Sequence, residues 1–218
     1  MIELYKRAIQ GLDPTWHDRY ADICKKVKVV TDWRDPNDAS DVLVERLIYD
    51  TDNGVSSVGQ AFATWPTPRP SVGSYRDMLA RLKEGLVSRL SADAVARCRE
   101  EFARITNGNG APSIFNRIVS AFQPGKVSPV MFENDFNDAY SKLVRGGYID
   151  QEDYHLPPGD DRWYSKNVYL MNQLRGRLPD GHVDDAAMDV DDYSRGMFVW
   201  GVHEINMEDW MIIRNHLR

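Results

Sequence analysis

Residues 74–105, SYRDMLARLKEGLVSRLSADAVARCREEFARI, carry two apolar stripes at helical spacing. Tyr75, Met78, Leu79, Leu82, Leu86 and Leu90 recur every three or four positions. Val95, Cys98, Phe102 and Ile105 repeat the pattern after Ser91. That period puts each set on one helix face, which must be buried against a neighbour. Ser74 with Asp77 three residues on is a variant of the capping box, and Ser91 caps the second helix. Asn107-Gly-Asn-Gly breaks the run, because Asn and Gly accept conformations that end a helix. The stretch predicts a helical hairpin.

The same signals extend in both directions. Asp13-Pro14 predicts a helix start, followed by Trp16, Tyr20, Ile23, Cys24, Val27 and Val30 at helical intervals. After a polar loop, Asp32 to Asp38, either Asp38 or Ser40 can cap a short helix that buries Val42, Leu43, Leu47 and Ile48. Asp52-Asn53-Gly54 is turn chemistry. Trp65-Pro-Thr-Pro-Arg-Pro is held extended by its prolines and predicts a linker or buttress. C-terminal to the hairpin, Pro112 opens a helix with Ile114, Phe115, Ile118, Val119 and Phe122 inward. Phe132 to Leu143 forms another, closed by Gly146-Gly147. Asp160 or Asp161 caps a third, with Trp163, Asn167, Leu170, Met171 and Leu174 on one side. The acidic stretch Pro179 to Asp192 is a loop, and Met197–Val202 and Trp210–Leu217 are two closing helices. Strand signals are scarce: Val27 to Val30 and Lys126 to Met131 are the candidates. The expected fold is all-α, mostly helical with at most a few short strands, a compact multi-helix globule. An N-terminal helical subdomain, 1–66, would precede a helical main domain, 67–218, unless the two form a single domain.

Composition is that of a folded chain: 42% hydrophobic and 28% charged over 218 residues. No apolar run approaches the roughly 18 residues a membrane span needs. The first residues lack the apolar block of a secretory signal. Cys24 and Cys98 sit on apolar faces without CxxC spacing, so buried thiols in a reducing, cytoplasmic setting are expected.

Catalytic spacings are missing although acids are plentiful. The sequence has no GxxxxGK[ST], GxGxxG or GxSxG. His17, His155, His182, His203 and His216 form neither HxxxH nor HExxH. The run Asp184 to Asp192 lacks the central glycine and closing glutamate of a calcium loop. No catalytic residue, metal or cofactor is therefore assigned, and recognition is favoured over catalysis. An enzyme whose site assembles from scattered residues is the remaining catalytic reading.

Charge is uneven. Residues 1–67 hold 8 basic and 11 acidic side chains, 68–126 hold 10 and 5, and 127–218 hold 9 and 17, giving −3, +5 and −8. Only the middle third could attract phosphate. Within it Arg76, Lys83, Arg97 and Arg104 fall off the apolar stripes and are the candidate phosphate contacts. Trp65, with Tyr75 or Trp33, is the candidate for stacking on an extruded base.

Several segments resemble the non-motor N-terminal region of McrB-like modified-DNA restriction proteins. They are Leu47-Ile-Tyr-Asp-Thr-Asp-Asn-Gly-Val-Ser-Ser-Val-Gly-Gln, Phe115-Asn-Arg-Ile-Val-Ser-Ala-Phe-Gln-Pro, Val127-Ser-Pro-Val, Gly147-Tyr-Ile, Trp163 to Leu174 and Met197-Phe-Val-Trp200. The resemblance is patchy, covers about half the chain and includes no catalytic motif. It implies a non-catalytic DNA-sensing or DNA-positioning module of a restriction or phage-defence system, with modified cytosine as target. A motor GTPase or nuclease subunit would be its partner. The alternative is a helical adaptor or inhibitor that meets a protein through an acidic C-terminal face.

Overall fold

The structure is a computed structural model, and residues 1–57, 69–87, 91–108, 112–151 and 160–216 are described. Ten α-helices occur among them: α1 (Ile2–Gln10), α2 (Trp16–Val29), α3 (Asp41–Ile48), α4 (Arg76–Leu86), α5 (Ser91–Ile105), α6 (Pro112–Phe122), α7 (Glu133–Arg145), α8 (Arg162–Arg177), α9 (Asp192–Glu204) and α10 (Met207–His216). The fold is all-α. Neither strand candidate forms a strand: Val27 lies inside α2, and Val127 makes an isolated bridge with Pro124. No helix among the described residues is long and apolar enough to cross a membrane.

The hairpin of α4 and α5 is present. Its helices approach closely because Gly85 faces Ala94, where an added Cβ would meet the Ala94 Cβ at 2.3 Å. The start of α4 differs from expectation. A 3-10 turn, Val72–Tyr75, leads into it, so Ser74 lies inside the turn rather than capping. Ser40 caps α3 by accepting from the Leu43 N–H, while Asp38 folds back to accept from Thr31 and Asp32. Asp161 caps α8, accepting from the Tyr164 N–H at 2.9 Å. Helix α7 ends as its glycines predict: Gly147 has φ +71°, and the Tyr148 N–H reaches the Leu143 carbonyl.

Helix α9 is the central element. From Ser194 to Val202 all but Trp200 lie in the stretch buried by neighbours. It packs on α7, α1, α2 and α8. Its N-terminus is fixed by a capping box between Asp191 and Ser194. At its C-terminus the Lys142 ammonium donates to the carbonyls of Val202, His203 and Ile205, which have no intrahelical donor. Helix α2 lies on α6, and α3 is clamped to α6 by Arg117. The last helix, α10, is held through Trp210, whose ring stacks edge-on against Tyr148 at 5.9 Å.

One buried cluster runs from Leu4 to Ile213 and includes side chains from all ten helices. The expected boundary near residue 66 falls outside the described residues. On either side of it, α1, α2 and α3 pack on α6 and α9.

Candidate functional site

The residues expected to meet nucleic acid do not form one surface. Arg76 is buried, and its guanidinium donates to the carbonyls of Trp33 (3.1 Å) and Ala39 (2.7 Å) and pairs with Asp41. It is off the apolar stripe, as the sequence indicated, but not exposed. Here α4 is covered on a second face by the loop following α2. Tyr75 and Trp33 are buried too, at 0% and 1% exposure, so neither ring can stack on a base. Trp65 lies outside the described residues.

Arg97 and Arg104 do come together. With Arg81 they line a groove of about 650 Å³ between α4 and α5, but Glu84, Glu100 and Glu101 line it as well. Arg81 pairs with Glu101, Arg97 with Asp93, and Arg34 crosses from the preceding loop to Asp77 and Glu84 at 3.0 Å each. Lys83 is not in this groove. It acts on Asp38, whose carboxyl is held below its ordinary range mainly by the Thr31 hydroxyl and the Thr31 and Asp32 N–H groups.

Part of the positive charge of the middle third is drawn inward, while Arg69, Arg81, Arg97, Arg104 and Lys126 stay exposed. Arg99 pairs with Asp161, donates to Asn116 at 2.7 Å and lies over the Phe115 ring. Arg117 is fully buried and donates to backbone carbonyls of residues 47–51. Asn116 and Arg117 are the Asn-Arg pair of the resembling segment, and both serve the interior. A long charged side chain on a helix cannot be told from a surface one by spacing, since its partners lie far off in sequence.

The acidic C-terminal third behaves differently. Residues 180–192 form an ordered loop with Asp180, Asp184, Asp185, Asp189, Asp191 and Asp192. Gly181 and Val190 exchange backbone hydrogen bonds at its base. Asp180 and Asp192 pair with Arg195, Asp192 also with Arg175, and Asp191 with His17. The Tyr5 hydroxyl donates to the carbonyls of Met188 and Asp189. Asp184, Asp185 and Asp189 stay exposed, with the His182 imidazole beside two of them. A hydrogen bond to Asp189 chiefly, and the charge of Asp184, raise the His182 pKa. Among the described residues no three His, Cys, Asp or Glu side chains gather as a metal site would require.

A second concavity was not anticipated. The turn between α1 and α2, the start of α2, residues 52–57 and the end of α9 enclose a cleft of about 340 Å³. Trp16, Trp200, Leu12, Pro129 and Met131 supply its apolar lining, and Asp13, Asp52, Arg19 and Glu204 its charges. The Trp16 indole is fixed by donating to the carbonyls of Gly54 (3.1 Å) and Val55 (3.0 Å). Arg19 is held between Asp13 (2.9 Å) and Asp52 (2.6 Å). Periodicity assigned Trp16 to a helix stripe, Trp200 was placed only within a closing helix, and each is in fact half-buried. Nothing in the sequence shows that two tryptophans 184 positions apart meet at one cleft.

The thiols are buried and free. Burial pushes Cys98 up to about 11 and Cys24 higher still, so neither is a nucleophile at neutral pH. No protein-family model, curated protein or solved structure matches the chain.

Proposed function

We propose that this chain is a non-catalytic recognition module, and that it works by docking a positively charged protein surface through its acidic C-terminal third. The observation that carries the reading is where the charges lie. The basic hairpin turns Arg76 inward and pairs Arg81 and Arg97 with carboxylates, whereas Asp184, Asp185 and Asp189 face solvent beside a single imidazole, His182, on a loop closed at its base by the Gly181–Val190 backbone hydrogen bonds. Oriented surface charge of one sign gives specificity and speeds association with a partner of the other sign. The resemblance to restriction proteins supplies a context, in which the partner is a motor or nuclease subunit.

Sensing of modified DNA is the competing reading, and it keeps the same resemblance as its support. Polyanion binding needs several side chains that each neutralise a phosphate, and its affinity then falls steeply with salt. One experiment separates the two. Fluorescence anisotropy is measured at low salt with three probes: a plain duplex, the same duplex carrying 5-methylcytosine, and an amphipathic helical peptide whose only cations are lysines. The expected result is that the peptide binds, neither duplex does, and D184N/D185N/D189N weakens the peptide about tenfold. Duplex binding tighter than peptide binding, or a triple variant that binds as the parent does, overturns the proposal.

A further inference from the structure

We infer that the cleft between Trp16 and Trp200 is a binding site for a guanidinium group, supplied by an arginine side chain of the partner. This rests on the reading of a basic protein partner and adds a defined subsite to it. Three features of the cleft point to that ligand. Its volume, about 340 Å³, is at the lower end of the roughly 300–1,000 Å³ of small-ligand pockets and suits a single side chain. Its lining is rich in aromatic and apolar surface, with two indoles together with Leu12, Pro129 and Met131. Indole is the strongest of the aromatic partners for a cation, and a guanidinium is flat and weakly hydrated, so it enters such a lining at less cost than an ammonium.

The charge at the rim is the third feature. Asp13, Asp52 and Glu204 face one cation, Arg19, leaving a surplus of two negative charges. Asp13 and Asp52 are both engaged by Arg19. Glu204 is exposed at the last position of α9 and makes no ion pair among the described residues. A carboxylate so placed can accept both N–H groups of one guanidinium edge. The same surplus works against an extruded nucleotide. Its base would fit the indoles, but its phosphates would meet the carboxylates of Asp13, Asp52 and Glu204.

The site is tested on the whole chain by saturation-transfer NMR and by titration of the intrinsic tryptophan fluorescence. The probes are acetyl-Gly-Arg-Gly-amide, the citrulline peptide that is its neutral isostere, the lysine peptide, and 5-methyl-2′-deoxycytidine 5′-monophosphate. The arginine peptide is expected to bind about tenfold more tightly than the citrulline peptide and several-fold more tightly than the lysine peptide. E204Q should remove most of that preference with an unchanged melting temperature. W200F should keep part of it, because a phenyl ring still receives a cation. Equal binding of arginine and citrulline, no effect of E204Q in the folded protein, or tighter binding of the nucleotide overturns the assignment. The lysine-only helical peptide does not contain the group in question. If it still binds through Asp184, Asp185 and Asp189 while the arginine peptide does not, only the cleft assignment falls. If the helical peptide fails as well, the parent reading falls with it.

Discussion

Arg117 and Arg195 are both fully buried, but Arg195 pairs with Asp180 and Asp192 whereas Arg117 makes no ion pair among the described residues. Its two terminal nitrogens donate to the carbonyls of Leu47 and Ile48 (3.1 Å each) and of Asp50 (2.7 Å), with Thr51 at 3.5 Å. These close the C-terminal end of α3, where helix carbonyls have no partners of their own. Burial lowers the guanidinium to about 10, only partly opposed by the charges of Asp50 and Asp52, so it stays protonated at neutral pH. Removing a buried charge relieves desolvation, but an apolar replacement would strand several buried carbonyls. Each stranded group costs about 1–3 kcal/mol, and the loss outweighs the relief. R117M should therefore lower stability by about 2–4 kcal/mol in chemical denaturation, the cost of the stranded carbonyls less the relieved desolvation. R117K should fall between, because an ammonium cannot span acceptors placed for a fork. An R117M protein as stable as the parent would show that the capping bonds contribute nothing net. None of this was legible in the sequence: Asn116-Arg117 stood out only as part of a resembling segment, and the acceptors lie 66–70 positions away.

At the scale of elements, α1 and α9 cross at Gly201. A Cβ there would sit 2.3 Å from the Ala8 carbonyl oxygen and 2.8 Å from its carbon. The obstacle is backbone, so it cannot swing aside as the end of a flexible side chain would. G201A gains up to about 1 kcal/mol of helix propensity, but overpacking of this kind costs about 1–3 kcal/mol and here falls at the upper end. The expected outcome is a lower melting temperature for G201A; for contrast, G176A, at a helical position with nothing within 4 Å of the added atom, should raise it. A G201A protein that melts above the parent would mean that the helices separate at little cost. The crossing also explains which elements could be foreseen. The α4–α5 hairpin and α7 have one buried face and one wet face, so their stripes are visible in sequence; α6 is buried from Ser113 to Ala121, and its stripe shows only because Ser113, Asn116, Arg117 and Ser120 interrupt the apolar residues. Helix α9 is buried on nearly all sides, which erases the contrast and left only Met197–Val202 recognisable. Helix α1 escaped notice because no capping side chain marks its start, as Ser40 marks that of the still shorter α3, although Leu4, Tyr5, Ala8 and Ile9 are all buried.

For the whole molecule, the division into 1–66 and 67–218 makes a statement about cooperativity. Separate units would each close their own core and unfold in separate steps. The contacts across the division argue for one step. Ala8 abuts Gly201, the Tyr20 hydroxyl reaches the Ser120 carbonyl, and Arg117 holds the end of α3. Leu4, Tyr5 and Ile9 from the first helix belong to the same buried cluster as Phe198 and Val202. Without residues 1–57, the apolar surfaces of α6 and α9 that these side chains cover would face water. Burial contributes about 25 cal/mol per Å² of apolar area, and a core cut through its middle cannot recover that by local rearrangement. Thermal unfolding followed by near-ultraviolet and far-ultraviolet circular dichroism should therefore give coincident transitions. A 67–218 fragment should retain helix but bind a hydrophobic dye and lose its near-ultraviolet signal. Two resolved transitions, or a fragment with native near-ultraviolet dichroism and no dye binding, would bear out the two-unit description. In that case the Trp16–Trp200 cleft, whose walls come from both sides of residue 66, would become a seam between independently folded parts.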